Sequence, residues 1–127
     1  MAAQATLRRK RILIVDDDRD SGDMLAQWLG AQYDVLVARD GVEGLEQASS
    51  YAADLIISDV AMPRLGGLAM VQQLRGHQGL KVPVIFLSAY TSPSDIIAGI
   101  TVGARHYLTK PVELSDLKKR VARALGN

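Results

Sequence analysis

The feature that most limits how this 127-residue chain can fold is a set of short apolar runs, each ending in a polar or charged residue. Arg11-Ile12-Leu13-Ile14-Val15 runs into Asp16-Asp17-Asp18, and Asp54-Leu55-Ile56-Ile57-Ser58 runs into Asp59. Val82-Pro83-Val84-Ile85-Phe86-Leu87 ends at Ser88, and a shorter run around Tyr107 and Leu108 ends at Lys110-Pro111. Apolar runs this short, separated by helix-like segments, read as buried parallel strands. Parallel strands alternating with helices bring their C-terminal ends to one edge of the sheet. Carboxylates, a hydroxyl and an ammonium are therefore expected in one small cleft.

The intervening segments carry helical signals. Met24, Leu25, Trp28 and Leu29 recur at helical spacing over residues 21–29, and Gly30 is a stop signal. Asp40 with Glu43 three residues on has capping-box spacing, ahead of Val42, Leu45 and Ala48. A loop rich in Pro and Gly over residues 62–67 precedes a helix with Leu68, Val71 and Leu74 inward. Ser92-Pro93-Ser94-Asp95 is a helix start, with Ser92 as N-cap and Asp95 placed to close a capping box; Gly103 ends that helix. The last helix has Leu114, Leu117, Val121 and Leu125 inward and Gly126 at its end. With strands at residues 11–16, 33–38, 54–59, 82–88 and 105–108, five strands alternate strictly with five helices. That alternation predicts an α/β, doubly wound, parallel five-stranded sheet with right-handed crossovers and helices on both faces. Ile96, Ile97 and Ile100 cannot all face inward together with Val102. Local core packing is the expectation for them, with an exposed apolar patch that contacts a partner as the alternative.

Composition narrows the function classes. Apolar residues at 48% and charged residues at 23% are those of one ordinary globular domain, expected over residues 11–126 behind a flexible basic tail at 1–10. Zero cysteines remove thiolate and Cys-zinc chemistry, and two isolated histidines, His77 and His106, make no zinc site. The remaining metal chemistry is oxygen-based. No run approaches the roughly 20 apolar residues of a membrane span, and no secretory signal opens the chain, so the expected location is the cytoplasm. A net charge of +1 gives no case for direct nucleic acid or membrane binding. The cations that do cluster, in Arg8-Arg9-Lys10-Arg11 and in Lys118-Lys119-Arg120 with Arg123, read as a solvated tail and a solvated last helix.

Periodicity alone does not order the strands. If the first lies beside the third, as in the common 2-1-3-4-5 order, Asp16, Asp17 and Asp59 leave strands only about 4.8 Å apart. At an effective dielectric near 20, each like-charged pair then costs about 3 to 4 kcal/mol before screening. Lys110 is one charge against three, and a partly wet, all-oxygen acidic site fits Mg²⁺. The acidic loop after the first strand repels phosphate unless a metal comes first, which argues against a nucleotide or flavin. A phosphoryl group carried by Asp59, however, would find the ion held by Asp16 and Asp17 on one side, with Lys110 and the Ser88 hydroxyl on the other. The chemistry this favours is covalent phosphoryl transfer to an aspartate.

These residues resemble the receiver domain of bacterial two-component response regulators. Val15-Asp16-Asp17-Asp18, Ser58-Asp59-Val60-Ala61-Met62-Pro63, Leu87-Ser88-Ala89 and Thr109-Lys110-Pro111 occur in the family's order. The resemblance implies a flavodoxin-like sheet of order 2-1-3-4-5, Asp59 as phosphoacceptor, and Mg²⁺ held by Asp17 directly, Asp16 through water, Asp59 and the backbone carbonyl of Ala61. It implies Lys110 and Ser88 as phosphoryl-stabilising residues, and Ser88 and Tyr107 as switch residues that alter the face of the fourth helix, fifth strand and fifth helix. Ala61 and Tyr90 match positions that tune acyl-phosphate lifetime, and the bond before Pro111 is expected to be cis. The implied partners are a sensor histidine kinase or phosphotransfer protein and a downstream protein or output domain, with a phosphorylation-dependent dimer among the assemblies. The chain then reads as a stand-alone receiver or one cut from a longer regulator or hybrid kinase, a phosphoacceptor that turns over no diffusing substrate. A phosphorylation-independent interaction scaffold and a Mg²⁺-dependent phosphohydrolase are the alternatives from other classes. Gly66 stands where relatives often place an acidic or amide residue, which predicts a more mobile loop after the third strand.

Overall fold

Ile12, Leu13, Ile14 and Val15 have no measurable exposure on either side of their strand, because helices cover both faces of the sheet that contains them. The computed structural model describes residues 9–126. Its strands are β1 (Arg11–Val15), β2 (Asp34–Ala38), β3 (Leu55–Ser58), β4 (Val84–Ser88) and β5 (His106–Thr109), and its helices are α1 (Arg19–Gly30), α2 (Gly41–Ser50), α3 (Gly67–Gly76), α4 (Pro93–Thr101) and α5 (Leu114–Ala124). All strand pairs are parallel, in the order β2-β1-β3-β4-β5. This is the expected doubly wound architecture.

Alternation along the strands feeds two cores. Ile12, Ile14, Leu55, Ile57, Ile85 and Leu87 pack against Leu25 and Leu29 of α1 and Leu117 and Val121 of α5. Leu13, Val15, Ile56, Val84 and Phe86 pack on the opposite face against Ala48, Met70, Val71 and Leu74. Each fully buried Leu, Ile or Phe contributes roughly 1.5 to 3 kcal/mol relative to exposure, so the strand ends are fixed by the core rather than by their own polar residues.

Several local features depart from the sequence reading. Helix α1 starts at Arg19 rather than Ser21, because Asp18 is its N-cap and accepts from the Asp20 N–H at 3.1 Å. Its inward stripe is centred on Leu25 and Leu29, leaving Met24 40% exposed. In α2 the Glu43 N–H donates to Asp40 as expected, but the Glu43 carboxylate reaches back to Arg39 N–H and not to Asp40. The local-core reading of α4 is overturned: Ile96, Ile97 and Ile100 are 38%, 64% and 47% exposed. The residue that α4 buries is Gly99, where a Cβ would lie 2.7 Å from the Tyr107 ring. The missing side chain lets the ring lie against the helix and turns the isoleucines outward.

Residues 1–8, most of the expected basic tail, lie outside the described residues. Arg9 and Lys10 are engaged. The Arg9 guanidinium donates to the carbonyls of Gly30, Gln32 and Tyr33, and Lys10 O accepts from Asp34 N–H. Arg9 thus satisfies carbonyls left over where α1 ends, a position that favours a cation. No helix is long and apolar enough to cross a membrane among the described residues.

Candidate functional site

The register of the sheet builds the site. Val15 lies opposite Ser58 across β1 and β3, so the next residue of each strand, Asp16 and Asp59, emerges beside the other. Asp16 N–H bonds to Ala38 O at 3.0 Å and Asp59 N–H to Val15 O at 2.9 Å, which carries the ladder one residue past the strands. Carboxylate oxygens of Asp16, Asp17 and Asp59 all fall within 4.8 Å of one another, with Asp16 buried, Asp59 partly buried and Asp17 exposed. Lys110, just past β5, donates from Nζ to Asp16 Oδ2 at 2.9 Å and to Asp59 Oδ2 at 3.0 Å. Its backbone N–H bonds to Ser88 O, and the Lys110-Pro111 peptide is cis.

Asp16, Asp59 and Lys110 have defined partners. Asp16 Oδ1 accepts from Asp18 N–H, and Asp59 Oδ1 accepts from Val60 N–H at 2.6 Å. Burial pushes the Asp16 carboxyl above its ordinary value of 3.8, and its bonds to Lys110 and Asp18 N–H recover only part of that shift. Burial pulls the Lys110 ammonium down, but the bonds to Asp16 and Asp59 outweigh it and leave the group above 10.5. The pair thus titrates upward at both ends for different reasons. Three acids share one ammonium, and the excess negative charge faces the open side at Asp17.

Ser88 has no measurable exposure; its Oγ accepts from Tyr90 N–H at 3.1 Å. Tyr107, the other expected switch residue, donates its hydroxyl hydrogen to the carbonyl of Tyr90. Its ring packs against Phe86 with centroids 6.1 Å apart. Tyr90 therefore joins Ser88 to Tyr107 through its own backbone, while its side chain is 55% exposed. Motif reading named Tyr90 for its side chain and missed the backbone role, which no residue type encodes. Ala61 is exposed at the start of the loop after β3.

That loop is tied at several points, against the expected mobility. Gly67 N–H bonds to Val60 O, Gly41 N–H bonds to Leu65 O, and Arg64 Nη1 pairs with Asp40 Oδ2 at 3.1 Å. Asp40 thus caps α2 and also holds the loop, a second role its capping spacing did not announce. At Gly67 the helix meets the strand end so closely that a Cβ would come within 2.1 Å of Asp59 O. The double glycine at 66 and 67 is the sequence signal for this contact, beyond the loop content it also indicates.

The sequence of residues 12–122 matches the family model described as the response regulator receiver domain. The chain belongs to that family. Over 112 residues the receiver is 45% identical to Response regulator MprA of Mycobacterium tuberculosis, covering 87% of this chain and 48% of that protein. It spans about half the length of the curated relatives it matches. Among solved structures, the Vibrio cholerae chemotaxis protein CheY4 superposes with a TM-score of 0.85 at 36% identity, over 91% of this chain and 98% of that one. The Francisella response regulator 1452 receiver domain gives 0.86 at 33%, over 92% and 97%. The receiver is a signalling domain of two-component systems, and its strand order is that of CheY-like folds.

Proposed function

We propose that this receiver is a phosphorylation-controlled switch that takes a phosphoryl group onto Asp59 from a sensor histidine kinase or phosphotransfer protein in the cytoplasm. The observation that carries the reading is the convergence of Asp16, Asp17 and Asp59 within 4.8 Å, bridged by one lysine. In the transfer, one Asp59 oxygen forms a bond to phosphorus as the bond from phosphorus to the donor imidazole nitrogen breaks, its electron pair staying with the ring. Both Asp59 oxygens already accept a hydrogen bond, from Val60 N–H and from Lys110, so attack exchanges one of these for phosphorus. Lys110 is the donor able to follow the charge onto a phosphoryl oxygen, and the Ser88 hydroxyl hydrogen, which has no acceptor among the described residues, supplies a second contact.

The donor set suits a hard divalent cation, being all oxygen, under-neutralised and open on the Asp17 side. Asp17, Asp59 and the Ala61 carbonyl would hold Mg²⁺, with Asp16 acting through water. Bound there, Mg²⁺ supplies positive charge to the anionic oxygens of the transferring group. Drawing Ser88 toward the phosphoryl group alters its bond to Tyr90 N–H, and Tyr90 O is where Tyr107 is anchored. The signal then reaches the face of α4, β5 and α5 by a population shift. Ala61 and Tyr90, both exposed beside the cleft, set how readily water reaches the acyl phosphate. Residues 11–126 form the domain that does this, and an output domain or separate protein reads it.

Transfer of labelled phosphoryl from a phosphorylated histidine kinase tests the reading. Label is expected on the native chain with Mg²⁺ and absent from Asp59→Asn. Equal labelling of the variant would overturn it.

A further inference from the structure

The turn that follows β2 supplies none of the clustered acids, yet it grips the loop after β3. Asp40 caps α2 by accepting from Glu43 N–H with Oδ1, and with Oδ2 it takes Arg64 Nη1 at 3.1 Å. Gly41 N–H donates to Leu65 O at 3.0 Å, and a Cβ on Gly41 would lie only 2.3 Å from that oxygen. The start of α2 thus seats the loop by close contact. Arg64 is the one residue of 60–66 whose side chain can donate a hydrogen bond, and it stands at a φ of 67°. Gly66 offers no side chain to cap α3, so the pair with Asp40 is the loop's side-chain anchor. The loop's own carbonyls are divided. Val60 O accepts from Gly67 N–H, Pro63 O from Leu65 N–H and Leu65 O from Gly41 N–H, whereas Ala61 O accepts no hydrogen bond among the described residues.

We propose that Asp40, Gly41 and Arg64 are positioning residues for Mg²⁺, fixing the loop so that the Ala61 carbonyl is in place as a ligand while none of the three touches the ion. The inference rests on the reading of that carbonyl as a ligand and names what holds it. A neutral carbonyl attracts a cation less than a carboxylate does, so its contribution depends on being placed beforehand. Mg²⁺ tolerates little departure from octahedral geometry, and groups that hold a ligand from behind are worth about tenfold or more in affinity. The Asp40 side chain is 11% exposed and that of Arg64 62%, so the pair is anchored at one end and only partly screened. Charge alone predicts the opposite sign. Arg64 is a cation on the loop that leaves the acidic cluster, and removing it would tighten Mg²⁺ binding if only its field mattered. Weaker binding on its removal therefore reports position.

The test titrates Mg²⁺ alone into the full chain by calorimetry. Arg64→Asn keeps a residue suited to positive φ and removes the guanidinium; its dissociation constant is expected to rise about threefold to tenfold. Arg64→Lys, which restores a cation, should recover most of the loss. The metal-free melting temperature of Arg64→Asn should stay near the native one, which separates position from stability. Without metal, the Gly41 and Gly67 amides should exchange hydrogen faster in this variant, since both bond to the loop. Gly41→Ala changes no charge and presses on Leu65 O; it should weaken binding as well, and it carries the test if Arg64→Asn does not fold. Arg39→Met is the comparator, because it breaks the neighbouring 2.9 Å pair with Asp23 and leaves the loop alone. Its dissociation constant should be no higher than the native one. A value for Arg64→Asn equal to or below the native one would overturn the proposal, as would equal weakening in Arg39→Met. A native chain that binds Mg²⁺ but takes no phosphoryl group sinks the switch reading and leaves this one standing. A native chain that takes up no Mg²⁺ sinks both.

Discussion

Asp16 and Lys110, 94 residues apart in the chain, meet through a 2.9 Å bond from Nζ to Oδ2. That bond joins the end of β1 to the end of β5 across the top of the sheet and gives Asp16, only 2% exposed, its one cationic partner among the described residues. Lys110→Met therefore leaves a buried carboxylate with a single backbone donor, Asp18 N–H. The expected cost is about 1 to 3 kcal/mol in metal-free protein, read as a lower urea midpoint at unchanged slope. A midpoint equal to the native one would show that the ammonium does not compensate the acids.

Asp59→Asn works in the opposite direction. It gives up one of two bonds to Lys110 but removes a charge from a cluster in which three carboxylates share one ammonium. Metal-free stability should rise by about 1 kcal/mol. In the native protein, Mg²⁺ should raise the melting temperature by linkage, roughly 1.4 kcal/mol at tenfold above the dissociation constant. In the variant that response should shrink.

The raised values of Asp16 and Lys110 set the pH dependence. Folded Asp16 holds a proton more tightly than unfolded Asp16, so in metal-free protein this group favours the native state as pH falls toward 3.8 and disfavours it once ionised. Lys110 contributes stability that is whole below 10.5 and lost as pH rises through its higher folded value. Urea midpoints in chelator should show Asp16→Asn flattening the acidic limb and Lys110→Met flattening the alkaline one. Limbs unchanged by these substitutions would contradict the assignments. Affinity for Mg²⁺ should weaken on acidification earlier than an ordinary aspartate requires, because a protonated Asp16 no longer attracts the ion.

The strands were legible in the sequence because burial on both faces demands unbroken apolar runs, as at 12–15 and 55–57. Parallel connection then forced Asp16, Asp59, Ser88 and Lys110 to one edge before any strand order was known. What stayed hidden was carried by the backbone or by missing atoms. Tyr90 links Ser88 and Tyr107 through its amide and carbonyl, for which side-chain identity gives no sign. The outward turn of the α4 isoleucines depends on Gly99 making room for a ring eight residues away, a tertiary fact that helical periodicity does not contain. The grip of Asp40 on Arg64 depends on where a loop lands.

Two glycine substitutions separate packing from propensity. Gly67→Ala drives a methyl toward Asp59 O, where 2.1 Å is available, and should cost about 1 to 3 kcal/mol while displacing the end of β3. Gly30→Ala, with nothing within 4 Å of the added methyl, should stabilise by up to about 1 kcal/mol through helix propensity. Thermal melts of the two variants in parallel check both signs.

The most direct test of the account is intact-mass analysis of the native chain after incubation with acetyl phosphate and Mg²⁺, followed by peptide mapping. A gain of one phosphoryl group on Asp59 is expected, lost when Mg²⁺ is chelated or when Asp59→Asn is used. An unchanged mass, or a phosphoryl group on another residue, would contradict it.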